Sequence, residues 1–273
     1  MNCKLICIDM DGTFLTDDKT ITERNKKAVR SAWEKGAKIV VCTGRLYSSA
    51  RFYREIIGVK APVIASNGSY IMGEEDGQVI YKSILGCKNS NKILKVLKKY
   101  KLYPHFNSAD TIFTEKLVYS SFFYSKANEK LPEDRKINIE VIKDWNDTFI
   151  KNESEILKCI ATDDDIDKLD LAKKEMRSLN EFEVVSSKFD NFEVMNKGVS
   201  KGRAAEILAN YYGINSEQVM CIGDNENDLS MIKYAGIGIA MGNGEKCVKD
   251  IAEYITDTNN NDGVAKAIEK FVL

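Results

Sequence analysis

The 273-residue chain holds a single histidine, His105. With only one imidazole, a Ser–His nucleophile pair or a histidine-built metal centre is implausible chemistry here. His105 is expected to be structural or on the surface of its domain. Paired cysteines are also missing. The seven cysteines are odd in number and none stands in a C-x-x-C pair, which argues against a disulfide framework and a structural zinc site. Cys3, Cys7, Cys42, Cys159 and Cys221 sit in or beside short apolar runs and are expected as small buried hydrophobes. Charge of one sign is lacking too. A formal net charge of −1 leaves no electrostatic footprint for nucleic acid. The lysines between Lys92 and Lys101 resemble a basic patch. However, Ile93, Leu94, Val96 and Leu97 recur between them at helical spacing, so they are expected to form a solvated helix face. No apolar run approaches the roughly 20 residues of a membrane span. The run Leu5–Ile8 ends at Asp9, too short for a secretory signal, so a cytoplasmic location is expected. Internal repeats and low-complexity tracts are absent, and Asn259–Asn261 reads as a polar loop.

What remains is an ordinary globular composition, 44% hydrophobic and 30% charged. The length suits one large domain or two unequal ones. Folding at this size buries roughly three quarters of the unfolded chain's surface. The first 80 residues alternate strand and helix. Lys4–Asp9 predicts a buried strand, and Thr20 with Glu23 has capping-box spacing ahead of a helix with Ala28, Val29, Ala32 and Trp33 facing inward. Gly36 stops that helix. Lys38–Cys42 follows as a strand, Leu46–Ile57 as a helix and Pro62–Ser66 as a third strand. Asn67-Gly68 and Asp76-Gly77 signal the turns of a small hairpin.

The texture changes near residue 83. Aromatic and β-branched residues cluster in Ile112–Tyr124, with strand-like runs at Ile139–Ile142, Ile156–Thr162 and Phe182–Ser187 and a helix over Asp165–Leu179. From Ser200 the alternation returns: helix to Tyr212, strand Val219–Ile222, helix Asp228–Ala235, strand Ile237–Ala240, and a last helix. The pattern predicts an α/β protein with a Rossmann-like parallel-sheet core, helices on both faces, and an inserted α+β cap domain. The discontinuous core would be 1–83 and 191–273, and the cap 84–190.

Ligands of open parallel sheets bind beyond the carboxyl ends of the strands. The first strand is followed there by Asp9, Asp11, Gly12 and Thr13, and the second by Thr43, Gly44 and Arg45. The strand ending at Ile222 is followed by Gly223, Asp224, Asn225, Glu226, Asn227 and Asp228. Lys201 opens a helix, where the dipole already favours an anion. This inventory suits magnesium-assisted phosphoryl transfer, since Mg²⁺ prefers a few oxygen ligands plus a substrate phosphate. Asp9 and Asp224 are the candidate ligands, helped by a backbone carbonyl of the Asp9–Asp11 loop, at Asp11. A carboxylate at Asp9 can attack phosphorus, dividing one hard hydrolysis into two easier steps. Asp11 can protonate the leaving group and later activate water, if neighbouring Asp9 raises its pKa. Lys201, Thr43 and backbone N–H groups, among them that of Met10, would hold the phosphoryl oxygens.

The arrangement resembles the haloacid dehalogenase superfamily, in its Cof-type (subfamily IIB) phosphatase branch with a large cap. Asp9-Met10-Asp11-Gly12-Thr13 is similar to the nucleophile and acid/base motif. Cys42-Thr43-Gly44-Arg45 is similar to the second motif, whose hydroxyl and following N–H, here Thr43 and Gly44, bind phosphate. Val199-Ser200-Lys201-Gly202 is similar to the third, with Lys201 as its phosphate-neutralising lysine. Gly223–Asp228 is similar to the metal motif. The resemblance implies Mg²⁺ on Asp224, phosphate on Asn227, and support from Asp228.

Each motif alone has a plainer reading. Asp-x-Asp-Gly-Thr could be a turn before a capped helix, and Lys201 a solvated first-turn lysine; their shared order favours catalysis. Arg45 either reaches substrate or pairs with a carboxylate across the sheet edge. Gly236–Met241 has Met where a dinucleotide loop needs Gly or Ala, so close strand approach explains it better. Asp163-Asp164-Asp165 is expected as a helix N-cap run, not a metal cluster. Phe122-Phe123-Tyr124 could line a pocket but is expected as strand core. Three functions fit: a phosphatase on small phosphorylated metabolites (sugar phosphates first, flavin or pyridoxal phosphates next), a sugar phosphomutase, and a phospho-Asp signalling module. The expected partner is a small phosphorylated molecule, with neither nucleic acid nor membrane.

Overall fold

A computed structural model describes residues 3–75 and 77–273. The chain divides into two compact units. Residues up to Arg45, Ala50–Tyr81 and Ser200–Leu273 form one; Leu46–Ser49 and Lys82–Val199 form the other. In chain order the first runs β1 (Leu5–Asp9), α1 (Glu23–Glu34), β2 (Lys38–Cys42), α2 (Tyr47–Ile57), β3 (Val63–Ala65), β4 (Tyr70–Met72) and β5 (Val79–Lys82). The second carries α3 (Gly86–Lys99), β6 (Tyr103–Asn107), β7 (Thr111–Thr114), α4 (Tyr119–Asn128), β8 (Asn138–Val141), α5 (Trp145–Lys151), β9 (Lys158–Thr162), α6 (Ile166–Ser178), β10 (Phe182–Val185) and β11 (Asn191–Asn196). The first unit resumes with α7 (Lys201–Tyr211), β12 (Val219–Gly223), α8 (Leu229–Tyr234), β13 (Ile237–Ala240), α9 (Lys246–Lys249), β14 (Tyr254–Ile255) and α10 (Gly263–Phe271).

The first unit is built on one sheet in the order β14-β13-β12-β1-β2-β3-β4-β5. All pairings from β14 to β3 are parallel, and β4 turns back antiparallel to β3. Every residue of β1 and β12 is buried, as a parallel strand covered on both faces requires. Alternate residues go to opposite faces. Leu5, Cys7, Val40, Cys42, Val219 and Cys221 pack with Ala204, Ala205 and Leu208 of α7 and Met231 and Ile232 of α8. The complementary face is covered from the other side, where α1 packs on α10. The α/β core expected from the sequence is the observed one.

The second unit is a six-stranded sheet, β10-β11-β9-β6-β7-β8, mostly antiparallel. Its core joins Phe106, Phe113, Phe192 and Val194 to Ile93 and Leu97 of α3, Phe149 of α5 and Leu169 and Met176 of α6. The lysines of α3 flank that buried stripe, and Asp165 caps α6 by accepting from the Lys168 N–H.

Several local expectations differ from the structure. The α1 cap is Thr22, whose side chain accepts from the Asn25 N–H, while Thr20 instead pairs with Thr16. Asn25 is buried where Trp33 was expected, and Trp33 is 42% exposed. Phe122-Phe123-Tyr124 lies in α4, not in a strand, with Phe122 and Phe123 more than half exposed. β6 and β11 were not foreseen. Of the predicted hairpin turns, Asp76 lies outside the described residues.

Candidate active site

β1 is flanked by β12 on one side and β2 on the other, so three consecutive strand ends converge where open α/β sheets bind ligands. Asp9 is the last residue of β1. The chain then folds back tightly: the Phe14 N–H donates to the Asp9 carbonyl and the Leu15 N–H to the Met10 carbonyl. Gly12 makes the turn possible, with φ +80°. A β-carbon there would stand 2.3 Å from Asp224 Oδ2, so only glycine lets the β1 loop lie against the β12 loop. Thr13 Oγ donates to Asp224 Oδ1 at 2.8 Å, joining the two loops through a buried hydrogen bond.

Asp228 organises the β12 loop. Its Oδ2 accepts from the backbone N–H groups of Asp224 and Asn225 at 2.9 and 3.1 Å. Its Oδ1 accepts from Lys201 Nζ at 2.6 Å, and the same ammonium reaches Asp9 Oδ1 at 2.5 Å. Lys201 is wholly buried at the first position of α7, behind an N-cap in which Ser200 Oγ accepts from the Arg203 N–H. A fully desolvated ammonium is tolerable only when paired. Burial favours its neutral form, but Asp228 and Asp9 outweigh burial and hold it protonated.

Carboxylate oxygens of Asp9, Asp224 and Asp228 lie within 4.8 Å of one another. One buried lysine faces three buried carboxylates, so negative charge is in excess. Desolvation and the Asp228 charge push Asp9 well up and raise Asp224 to about 7. Such a donor set of hard oxygens with surplus charge fits a divalent cation such as Mg²⁺.

Asp11 is not in that group. Its carboxylate takes a two-pronged ion pair from Arg45 Nε and Nη2, at 2.6 and 2.7 Å, and a third contact from Lys19 at 3.0 Å. Burial pushes its pKa up, but Arg45 and Lys19 dominate and hold the carboxyl well below the ordinary range. The expected elevation is thus reversed, because Arg45 and Lys19 outweigh the burial that would raise it. Arg45, read from the sequence as either a substrate contact or a carboxylate partner, pairs with a carboxylate here and also donates to Tyr53 Oη at 3.0 Å. Thr43 is buried at the end of β2, its Oγ accepting from the Arg45 N–H at 3.1 Å, with Gly44 between them. Asn227 is buried, and its Nδ2 donates to Asn67 Oδ1 at 3.0 Å.

The structure therefore brings Asp9, Met10, Thr43, Gly44, Asp224, Asn227 and Asp228 to adjoining strand ends of one sheet, with Lys201 reaching Asp9 and Asp228 from the first turn of α7. Sequence reasoning missed Lys19 and Asn67. Lys19 carries no motif; Asn67 was visible only as a turn residue. His105 lies in the other unit, fully buried, with Nε2 within reach of the Val118 carbonyl at 3.1 Å.

Residues 6–268 match the haloacid dehalogenase-like hydrolase family. The sequence is 33% identical over 275 residues to a 5-amino-6-(5-phospho-D-ribitylamino)uracil phosphatase of Bacillus subtilis, covering 100% of this chain and 97% of that protein. It is 29% identical to a phosphoglycolate phosphatase of Methanobrevibacter smithii, over the full length of both. Among solved structures, a haloacid dehalogenase-like hydrolase from B. subtilis superposes with a TM-score of 0.87 at 28% identity, covering 98% of this chain and 99% of that one.

Proposed function

The chain belongs to the haloacid dehalogenase-like hydrolases, a phosphatase of small phosphorylated molecules, and on that premise we propose that it hydrolyses sugar- or polyol-type phosphate monoesters through an aspartyl-phosphate on Asp9, with Mg²⁺ as cofactor. The observation that carries the mechanism is the buried Lys201 ammonium bridging Asp9 and Asp228 beside Asp224. That is a fixed positive charge beside the attacking carboxylate.

Asp9 and Asp224 would hold the cation, with a carbonyl of the Asp9–Asp11 loop, at Asp11. When bound it neutralises charge on the phosphoryl oxygens and keeps both carboxylates ionised. Asp9, freed of its proton, attacks phosphorus as the ester oxygen departs. Lys201, Thr43 Oγ, Asn227 and the N–H groups of Met10 and Gly44 stabilise the equatorial oxygens. Asp11 passes the proton, to the leaving alkoxide first and from water in the second step. Since Arg45 and Lys19 hold Asp11 ionised in this state, acting as the acid requires that pair to loosen on substrate binding. The likeness to a ribitylamino-uracil phosphatase supports a polyol phosphate as substrate.

Phosphate release from sugar phosphates, ribityl phosphates, flavin mononucleotide, pyridoxal phosphate and an aryl phosphate tests this. Release should require Mg²⁺, stop with chelator, and vanish in a folded Asp9→Asn variant. Full activity in that variant would refute the covalent route.

A further inference from the structure

Between β3 and β4 the chain makes a tight, buried turn. Ser66, Asn67 and Gly68 have successive φ values of 50°, 54° and 99°, and all three are buried. Left-handed backbone at a non-glycine residue is sterically costly. Ser66 Oγ and Ser69 Oγ are also buried without a hydrogen-bond partner. Such strain persists only where the surroundings over-determine it. Here the surroundings are three of the motif segments. The Ser66 N–H donates to the Arg45 carbonyl at 2.9 Å and the Asn67 N–H to the Thr43 carbonyl at 3.1 Å. A β-carbon on Gly68 would stand 2.3 Å from the Ser200 carbonyl oxygen. Asn67 Oδ1 accepts from Asn227 Nδ2.

We infer that Asn67 is a positioning residue for Asn227, a role that rests on the phosphoryl-transfer reading of the site. An asparagine amide has a donor end and an acceptor end of nearly equal shape. Turned by half a rotation, Asn227 would offer an oxygen to a phosphoryl oxygen and repel it. By accepting one hydrogen of Asn227 Nδ2, Asn67 fixes the amide and leaves the second N–H for phosphate. The left-handed backbone at Asn67 is the conformation that aims its Oδ1 there, and asparagine is the side chain that adopts it at least cost while supplying an acceptor.

The test is a set of variants assayed on an aryl phosphate, with thermal melts alongside: Asn67→Gly, Asn67→Ala, Asn227→Ala, and Asn67→Gly with Asn227→Ala. Gly and Ala both remove the acceptor, but Gly relaxes the backbone and Ala strains it. Asn67→Gly should melt no lower than wild type yet lose about 10-fold or more in kcat. Asn67→Ala should share that kcat loss while melting lower. The double variant should be no slower than Asn227→Ala alone. Losses that multiply, or full kcat in Asn67→Gly, would overturn the role. Turnover by the wild-type protein tests the phosphatase reading separately. If it does not cleave the ester, the same cycle is read from inorganic phosphate affinity by calorimetry, where additive losses would again overturn it.

Discussion

Gly12 shows how little room the site leaves at the residue scale. The β1 and β12 loops touch through Gly12 and the Asp224 carboxylate, and Thr13 fixes the orientation of that carboxylate. Gly12→Ala adds a methyl group where Asp224 Oδ2 now lies, at a backbone angle that disfavours any side chain. The expected outcome is a folded protein with kcat down about 100-fold and weakened Mg²⁺ affinity by calorimetry. Wild-type metal affinity would mean that Asp224 does not bind the ion through the oxygen facing Gly12. This much was legible, because a glycine between two catalytic-type side chains is a local signal. The Arg45–Asp11 pair was legible only as one of two options, and the Lys19 contact not at all. Both depend on where a loop carries a long side chain, which no local pattern records.

At the scale of elements, success followed covalent neighbourhood and failure followed tertiary contact. β1, β2, β12 and β13 are short apolar runs buried on both faces, and their pattern alone identifies them. β11 escaped notice because Glu193 sits in its middle; its charge is answered by Lys158 of β9, an ion pair buried in the sheet. β6 contains Pro104, usually a mark against a central strand. The proline is tolerated because β6 pairs with β7 only from His105 onward. α4 was mistaken for a strand because Phe122 and Phe123 are strand-favouring residues, yet they point outward from a helix. The cap of α1 tests the same lesson. Thr22 accepts from Asn25 N–H, whereas Thr20 belongs to the preceding turn. Thr22 Oγ also donates to Asp262 Oδ1 at 2.6 Å, so Thr22→Ala should lower stability by at least the ~1 kcal/mol of a lost cap in urea unfolding, and Thr20→Ala by clearly less. Equal losses would return the cap to Thr20.

At the scale of the whole molecule, the two units carry opposite linkages to pH. His105 is buried in the second unit, its Nε2 within hydrogen-bond reach of the Val118 carbonyl at 3.1 Å and of the Ser121 hydroxyl at 3.0 Å. Burial lowers its pKa from 6.5 to about 4, while the Val118 carbonyl raises it and loses. Between those values the unfolded chain binds a proton that the folded unit refuses. The stability of this unit therefore falls as pH drops from about 6.5 to about 4, by roughly 3 kcal/mol in total. In the first unit Asp9 and Asp224 are raised by burial and by the Asp228 charge. With chelator present, the folded state there binds more protons than the unfolded one between about pH 4 and 7, so that unit gains stability over the same descent. Saturating Mg²⁺ should flatten the gain by keeping the carboxylates ionised. Amide exchange of β6 and β7 against β1 and β12, at pH 7 and pH 4.5 with chelator, resolves the two. Protection should weaken in the first pair and hold or rise in the second, and His105→Gln should remove the loss. Parallel loss in both units would show that one cooperative unfolding event, not local titration, governs acid sensitivity.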